Sequence, residues 1–294
     1  MNYPRLVLLL ILSFALATGT FAQISKRKGP IVRQVDRILI ESGDPKALFD
    51  FFSADLQLPE AWPLAENQGY TSGGLGAANV SIEFYRYAQQ KGTTTLRSSD
   101  ARYAGLALEP YPLPDALREL KASGIPYSSP EHYISTLPNG SKGTMWTTVP
   151  LPSFSKSGLS IFLYEYSPAY LKVDVRRKQL GNRLALNNGG PLGIQSVREI
   201  VIAAADFEKD KTAWKRLLGE PDPAGNWRVG AGPAIRLVQG TEDRIQKIIF
   251  LVKSLNQAKA FLKNKQLLGA SSANEVSLNP SKVQRLNISL AEKP

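Results

Sequence analysis

The sequence predicts an α+β fold built from four strand–helix–strand–strand units in two pairs. Curved mixed sheets would carry the helices on their outer faces. Three observations lead to this. First, Val35-Asp36-Arg37-Ile38-Leu39-Ile40 is echoed by Val197-Arg198-Glu199-Ile200-Val201-Ile202, and the echo runs on without a gap. Asp44 falls on Asp206, Phe52 on Trp214, Leu56 on Leu218 and Pro59 on Pro221. Second, each copy reads as an apolar strand, a helix-opening Asp, an amphipathic helix and a Pro stop. Third, Leu113, Ala116 and Leu120 match Leu255, Ala258 and Leu262 at a constant offset, so the second and fourth units also echo each other. A unit with one helix cannot bury its sheet face alone, and pairing lets two units curve around a shared concavity. A ferredoxin-like split of strands and helices is the competing architecture.

The elements follow in order. Residues 34–42 read as a strand rich in Val, Ile and Leu. Asp44-Pro45 opens a helix, because Asp caps and Pro suits the first turn. Leu48, Phe51, Phe52 and Leu56 then fall at helical spacing on one apolar face, and Pro59 ends it. Trp62 and Pro63 read as a loop, Gly69–Gly76 as a glycine-rich turn, and Asn79–Tyr87 as an alternating strand. The second unit has a strand at Tyr103–Leu108 and a helix from Leu113-Pro114-Asp115 to Ser123. A loop at Ser128–Lys142 contains His132, and strands follow at Thr144–Val149 and Leu159–Tyr166. Val173–Leu186 reads as a basic helix that Asn187-Asn188-Gly189-Gly190-Pro191 breaks. In the third and fourth units, strands fall at Trp227–Val229, Ala234–Gln239, Ile245–Val252 and Val283–Leu290. The last helix spans Ser254–Lys265.

This divides the chain into a leader at 1–22, a basic lead-in at 23–33, a first domain at 34–168, a connector at 169–195 and a degenerate second domain at 196–294. Arg5, the apolar run Leu6–Ala17 and the small residues of Thr20-Phe21-Ala22 form a secretory signal with cleavage after Ala22. The run is short of the ~20 residues that a bilayer core needs. A secreted or periplasmic protein with no integral membrane segment is expected.

Composition excludes several chemistries. There is no cysteine, so disulfides, thiolate metal sites and cysteine nucleophiles are absent. A single histidine, His132, rules out any multi-histidine metal site. The formal charge of +11 includes the clusters Lys26-Arg27-Lys28 and Arg176-Arg177-Lys178. These lack the aromatic interleaving of a nucleic-acid surface, so no nucleic-acid partner is inferred. Oligomeric state cannot be read from the residues. The glycines at 73, 74 and 76 lack the strand–turn–helix context and the Lys-Ser/Thr of a phosphate loop.

Two segments carry a family resemblance. Val35-Asp36-Arg37-Ile38-Leu39-Ile40 is followed by Asp44-Pro45-Lys46-Ala47-Leu48, and Gly73-Gly74-Leu75-Gly76 leads into Asn79-Val80-Ser81-Ile82-Glu83. In this order they resemble the glyoxalase-like, vicinal-oxygen-chelate superfamily over nearly the whole chain past the leader. The resemblance implies paired βαβββ modules around a cupped sheet, as in glyoxalase and bleomycin-resistance proteins. It also implies a divalent metal in the cup, held by the first and last strands of two modules.

Carried over residue by residue, the first-strand ligand position falls on Arg37 and the last-strand position on Glu83. In the second unit they fall on Gly105 and Glu165. In the third they fall on Glu199 and Gln239. The fourth offers Gln246 or Lys247, with no carboxylate before Glu292. Glu83 and Glu165 are thus the implied metal ligands and catalytic carboxylates. Two carboxylates suit Mg²⁺, Mn²⁺ or Ca²⁺ rather than Zn²⁺ or Fe²⁺. Arg37, Tyr85, Tyr103 and Trp146 are the candidate substrate-binding residues, and Ser81, Glu83 and Tyr85 share one strand face.

Two functions stay open. One is metal-assisted isomerase- or lyase-type chemistry on a polar or acidic small molecule. The other is a non-catalytic small-molecule-binding protein that lost the metal site. An apolar, dry cup with Arg37 tied up by Glu83 or Glu165 favours the second. Side chains of Glu83 and Glu165 on opposite sheet faces would defeat the first as drawn.

Overall fold

The computed structural model describes residues 30–67, 69–88 and 96–293. The expected leader at 1–22 and most of the expected basic lead-in at 23–33 lie outside the described residues. Twenty elements position the site. The first unit comprises β1 (Val32–Ser42), α1 (Pro45–Asp50), β2 (Glu60–Asn67), β3 (Tyr70–Gly76) and β4 (Ser81–Tyr87). The second comprises β5 (Ala101–Pro110), α2 (Leu113–Ala122), β6 (Glu131–Thr136), β7 (Lys142–Pro150) and β8 (Ser160–Tyr166). The connecting helix α3 spans Val173–Leu186. The third unit is β9 (Ile194–Ala204), α4 (Phe207–Leu218), β10 (Asn226–Arg228) and β11 (Ala234–Gln239). The fourth is β12 (Arg244–Val252), α5 (Leu255–Asn264), β13 (Leu268–Ser271), β14 (Val276–Leu278) and β15 (Ile288–Glu292).

Two mixed sheets result. The first has eight strands in the order β2-β3-β4-β1-β5-β8-β7-β6, and the second has seven in the order β10-β11-β9-β12-β15-β14-β13. In both, two antiparallel strands sit at the centre, β1 with β5 and β9 with β12. Each central strand pairs in parallel with the last strand of its own unit: β4, β8, β11 and β15. The units are therefore βαβββ, except that two strands rather than three follow α4.

Local chemistry explains the helix starts. Asp44 accepts from the Ala47 amide at 3.0 Å with Pro45 in the first turn, and Asp206 accepts from the Lys209 amide at 3.4 Å. Trp214, Leu120 and Leu262 from the helices, and Phe52 from the π-helical turn Phe51–Asp55 that follows α1, are buried in the core. One continuous apolar core contains residues of both sheets. Polar bonds also join the halves. The Asn79 side chain donates to the Val197 carbonyl at 2.9 Å and accepts from its amide at 3.0 Å. The Tyr103 hydroxyl donates to the Asn287 carbonyl at 2.8 Å.

Four sequence expectations need correction. The loop at Trp62-Pro63 is part of β2, an edge strand, and an edge tolerates a proline that has no amide to donate. The turn at Gly69–Gly76 is β3. Its glycines are needed because a Cβ on Gly73 or Gly74 would meet Leu64 or Trp62 of β2 at under 3 Å. The loop holding His132 includes β6, at the other edge of the sheet. The final strand is Ile288–Glu292, and residues before it form a short 3₁₀ turn, Pro280–Lys282.

Candidate functional site

The concave face of the first sheet is lined by polar and aromatic side chains, and Arg37 lies at its floor. Its side chain is 9% exposed and that of Glu83 is 7% exposed. Every nitrogen of the guanidinium is engaged. Nη1 donates to Glu83 Oε2 at 2.8 Å, Nη2 to the Tyr166 hydroxyl at 2.6 Å, and Nε to Asp36 Oδ2 at 3.1 Å. Its carbon sits 4.1 Å from the Tyr164 ring centroid, a close cation–π distance, and 5.3 Å from that of Trp62.

A shift in β1–β5 register between Val35 and Arg37 marks a bulge, where two consecutive residues bond to each other through their side chains. The other oxygen of Glu83 accepts from the Tyr70 hydroxyl at 2.7 Å and from Ser72 Oγ at 2.8 Å. The carboxylate is thus surrounded by three donors.

The network extends to the connecting helix. Asp36 Oδ1 lies 3.5 Å from Arg177 of α3, and Arg177 also donates to Glu109 at 3.0 Å. Glu109 in turn meets Arg33 at 2.6 Å and accepts from Gln34 at 2.6 Å. Alternating charges run from Glu83 through Arg37, Asp36, Arg177 and Glu109 to Arg33. A buried charge is tolerated where such partners satisfy it.

Burial alone disfavours the Arg37 cation, but Tyr166, Tyr164, Glu83 and Asp36 outweigh it and hold its pKa well above the ordinary value. Burial also raises the pKa of Tyr166, against the opposing pull of Arg37. Tyr70 is raised by burial and then by the adjacent Glu83 charge. These phenols are neutral at neutral pH, Tyr70 donating to Glu83 and Tyr166 accepting from Arg37.

Aromatic rings form the walls. Tyr70, Tyr85 and Tyr87 contact one another at centroid distances of 5.0–5.7 Å. Opposite them, Tyr133 stacks flat on Trp146 at 4.1 Å, and Trp146 continues to Tyr164 at 6.0 Å and Tyr170 at 5.9 Å. Tyr87 and Tyr133 are 60% and 50% exposed, so the rims are open to water.

The expected site residues divide. The structure brings Arg37 and Glu83 into contact, with Tyr85 and Trp146 in the two walls. Glu165 is not among them. In β8, Ile161 and Leu163 are fully buried in the core, and Glu165 shares their face. Its carboxylate accepts from the Leu113 amide at 2.8 Å, at the start of α2. Phe162, Tyr164 and Tyr166 face the cup instead. Tyr103 is also outside the cup, on the side that meets the second sheet. Gly105 supplies no side chain, and a Cβ there would lie 2.1 Å from the Ser160 carbonyl of β8. His132 Nδ1 is 2.9 Å from Thr147 Oγ1. Asp36, Ser72 and Tyr166 were missed as members. The alternation Phe162-x-Tyr164-x-Tyr166 was the readable signal for the last of them.

The second sheet carries a related pair with the charges exchanged. Glu199 stands where the sequence echo puts Arg37. Arg236 pairs in register with Val201 as Glu83 pairs with Leu39. Arg236 Nε meets Glu199 Oε1 at 2.6 Å. The residue facing Glu199 is therefore Arg236 and not Gln239, whose side chain bonds carbonyls at the end of β11. In both sheets a cross-strand ion pair spans the first and last strands of the unit.

The implied divalent metal does not fit these residues. Glu83 already accepts from Arg37, Tyr70 and Ser72, a cation stands beside it, and Glu165 points to the other face. Among the described residues, no group of three or more His, Cys, Asp or Glu side chains converges.

No protein-family profile and no curated protein matches the sequence. Solved structures do match by shape. A hypothetical protein from Staphylococcus aureus is similar with a TM-score of 0.58 at 9% identity, over 88% of this chain and 99% of that one. The 2,3-dioxygenase LapB from Pseudomonas sp. KL28 gives 0.57 at 10% identity, over 90% and 93%. Homoprotocatechuate 2,3-dioxygenase from Brevibacterium fuscum, in complex with 3,4-dihydroxyphenylacetate, gives 0.53 at 9% identity, over 91% and 82%. The chain has the vicinal-oxygen-chelate fold. At this identity the likeness is one of fold alone.

Proposed function

We propose that this protein binds a small molecule in the aromatic cup of its first sheet and does so without metal chemistry. One observation carries the reading: the Arg37 guanidinium occupies the cup floor and is bonded through all three nitrogens to Glu83, Tyr166 and Asp36. A pocket of aromatic walls with a few fixed polar groups is the usual make-up of a ligand site. The half-exposed rings of Tyr87 and Tyr133 are the accessible part. The leader-like run at 6–17 supports an exported protein, which fractionation of the expressing cells tests.

The decisive experiment is a thermal-shift screen of polar and acidic small molecules, with and without EDTA, on wild type and Trp146→Ala. The reading expects a stabilising compound whose effect survives EDTA and is lost in W146A. Stabilisation that appears only with added metal would overturn it.

A second reading is metal-assisted chemistry on a polar or acidic substrate, of isomerase or lyase type; the shape likeness to dioxygenases supports its metal-assisted part only. It requires Glu83 to exchange Arg37 for a metal ion, and metal-dependent stabilisation of the wild type is its signature.

A further inference from the structure

The connecting helix carries a second feature that the cup does not use. A groove of about 560 Å³ runs between α3 and the start of β2. That is the size of a small-molecule site, typically ~300–1,000 Å³. Lys172, Arg176 and Arg183 line it, together with the apolar Leu171 and Val175. Positions 172, 175, 176 and 183 recur at helical spacing, so they share one face of α3. Val175 is 50% exposed, an apolar side chain held open to water beside three cations.

The charge balance of the groove is what makes it more than a solvated helix face. Arg177, the next residue, is consumed by Asp36 and Glu109 on the cup side. Arg176 makes no such pair and lies over the Trp62 ring at 6.0 Å. Arg183 donates to the Glu60 backbone carbonyl at 3.1 Å. Among the described residues, no carboxylate pairs with Lys172, Arg176 or Arg183. Glu60 is the one acidic residue on the wall, so the lining keeps an excess of positive charge. Lys172 and Arg176 stand one helical turn apart, ~6 Å along the axis, close enough to grip one head group. A guanidinium recognises carboxylate or phosphate as a fork, and an ammonium adds a point charge.

We infer that this groove binds a single-chain anionic amphiphile. The carboxylate or phosphate head would lie between Lys172 and Arg176, and the alkyl chain along Leu171 and Val175. None of the cup residues Arg37, Glu83, Trp146 and Tyr166 lines the groove, and the Trp62 ring is within cation–π reach of both Arg37 and Arg176.

The test is calorimetric and fluorescence titration of the full chain with decanoate and decyl phosphate below their micelle concentrations. Decanol, acetate and inorganic phosphate are the controls. The inference expects decanoate or decyl phosphate to bind at least about tenfold more tightly than any control, since head and chain each contribute about a decade or more. Lys172→Gln/Arg176→Gln should weaken binding by about tenfold or more while circular dichroism shows the fold intact. Trp62→Phe should remove the fluorescence change and leave calorimetric binding in place. Equal binding of decanol would overturn the inference, as would an unchanged K172Q/R176Q. Loss of binding in W146A with K172Q/R176Q unaffected would assign the ligand to the cup. Binding to phosphatidylglycerol vesicles but not to the monomeric probes would assign the basic face to surface attraction.

Discussion

Replacing Arg37 by methionine keeps much of the side-chain volume and removes the charge. In the folded protein it leaves Glu83 and Asp36 without their shared cation, with side chains 7% and 8% exposed. Glu83 keeps Tyr70 and Ser72 as donors, and Asp36 keeps Arg177 at 3.5 Å, so both carboxylates remain partly satisfied. Removing one partner of a buried pair typically costs about 3–5 kcal/mol. Loss of the cation from the Tyr164 face adds about 1 kcal/mol. A typical domain has only about 5–15 kcal/mol in all, so R37M should lose a large part of its stability.

Urea unfolding followed by circular dichroism measures this. The double variant R37M/E83Q keeps the reasoning testable if R37M is too unstable to purify. With its counter-charge removed, it should be more stable than R37M, and the cycle should give a coupling of about 1–3 kcal/mol. An R37M within about 1 kcal/mol of wild type, with no coupling to Glu83, would refute the account of the cup floor.

Three further outcomes are expected. Glu165→Gln should cost about 0.5–2 kcal/mol by weakening the cap on α2; ligand binding in the cup should be unchanged, and a loss of binding at constant stability would restore Glu165 to the site. Tyr70, Tyr103, Tyr164 and Tyr166 all have raised pKa values, chiefly through burial. A raised folded value gives stability that is present below the unfolded pKa of ~10 and lost above it, so absorbance titration should show these phenols ionising only as the protein unfolds in base; reversible ionisation of all the tyrosines near pH 10 would contradict their burial. Gly105→Ala should be strongly destabilising, because its methyl would press on the Ser160 carbonyl and part β5 from β8; a midpoint like that of wild type would show that the strands can separate without loss.

The sequence made most of the frame legible. The strand at 34–42 is β1 within two residues, and Asp44-Pro45 opens a helix capped as its chemistry requires. What it hid were edges and faces. β2 was invisible because Pro63 reads as a breaker, and only its place at the sheet edge makes proline harmless there. Glu165 was misplaced by one step of alternation. A carboxylate beside Tyr164 and Tyr166 looked like a cup residue, while the fully buried Ile161 and Leu163 had already set its face toward the core. Arg37 was recognisable as an odd cation among apolar neighbours, yet its partners beyond Asp36 come from β2, β4 and β8, and no local pattern reports that. The exchange of charge between Arg37–Glu83 and Glu199–Arg236 became visible only through strand register.

The claim that a guanidinium, and not a metal ion, holds the cup floor is tested most directly by metal analysis. The purified protein would be incubated with Mn²⁺, Fe²⁺ or Mg²⁺, desalted and measured by mass spectrometry, for wild type and Glu83→Gln. The account predicts no stoichiometric metal in either protein. Near-stoichiometric metal in the wild type that disappears in E83Q would contradict it.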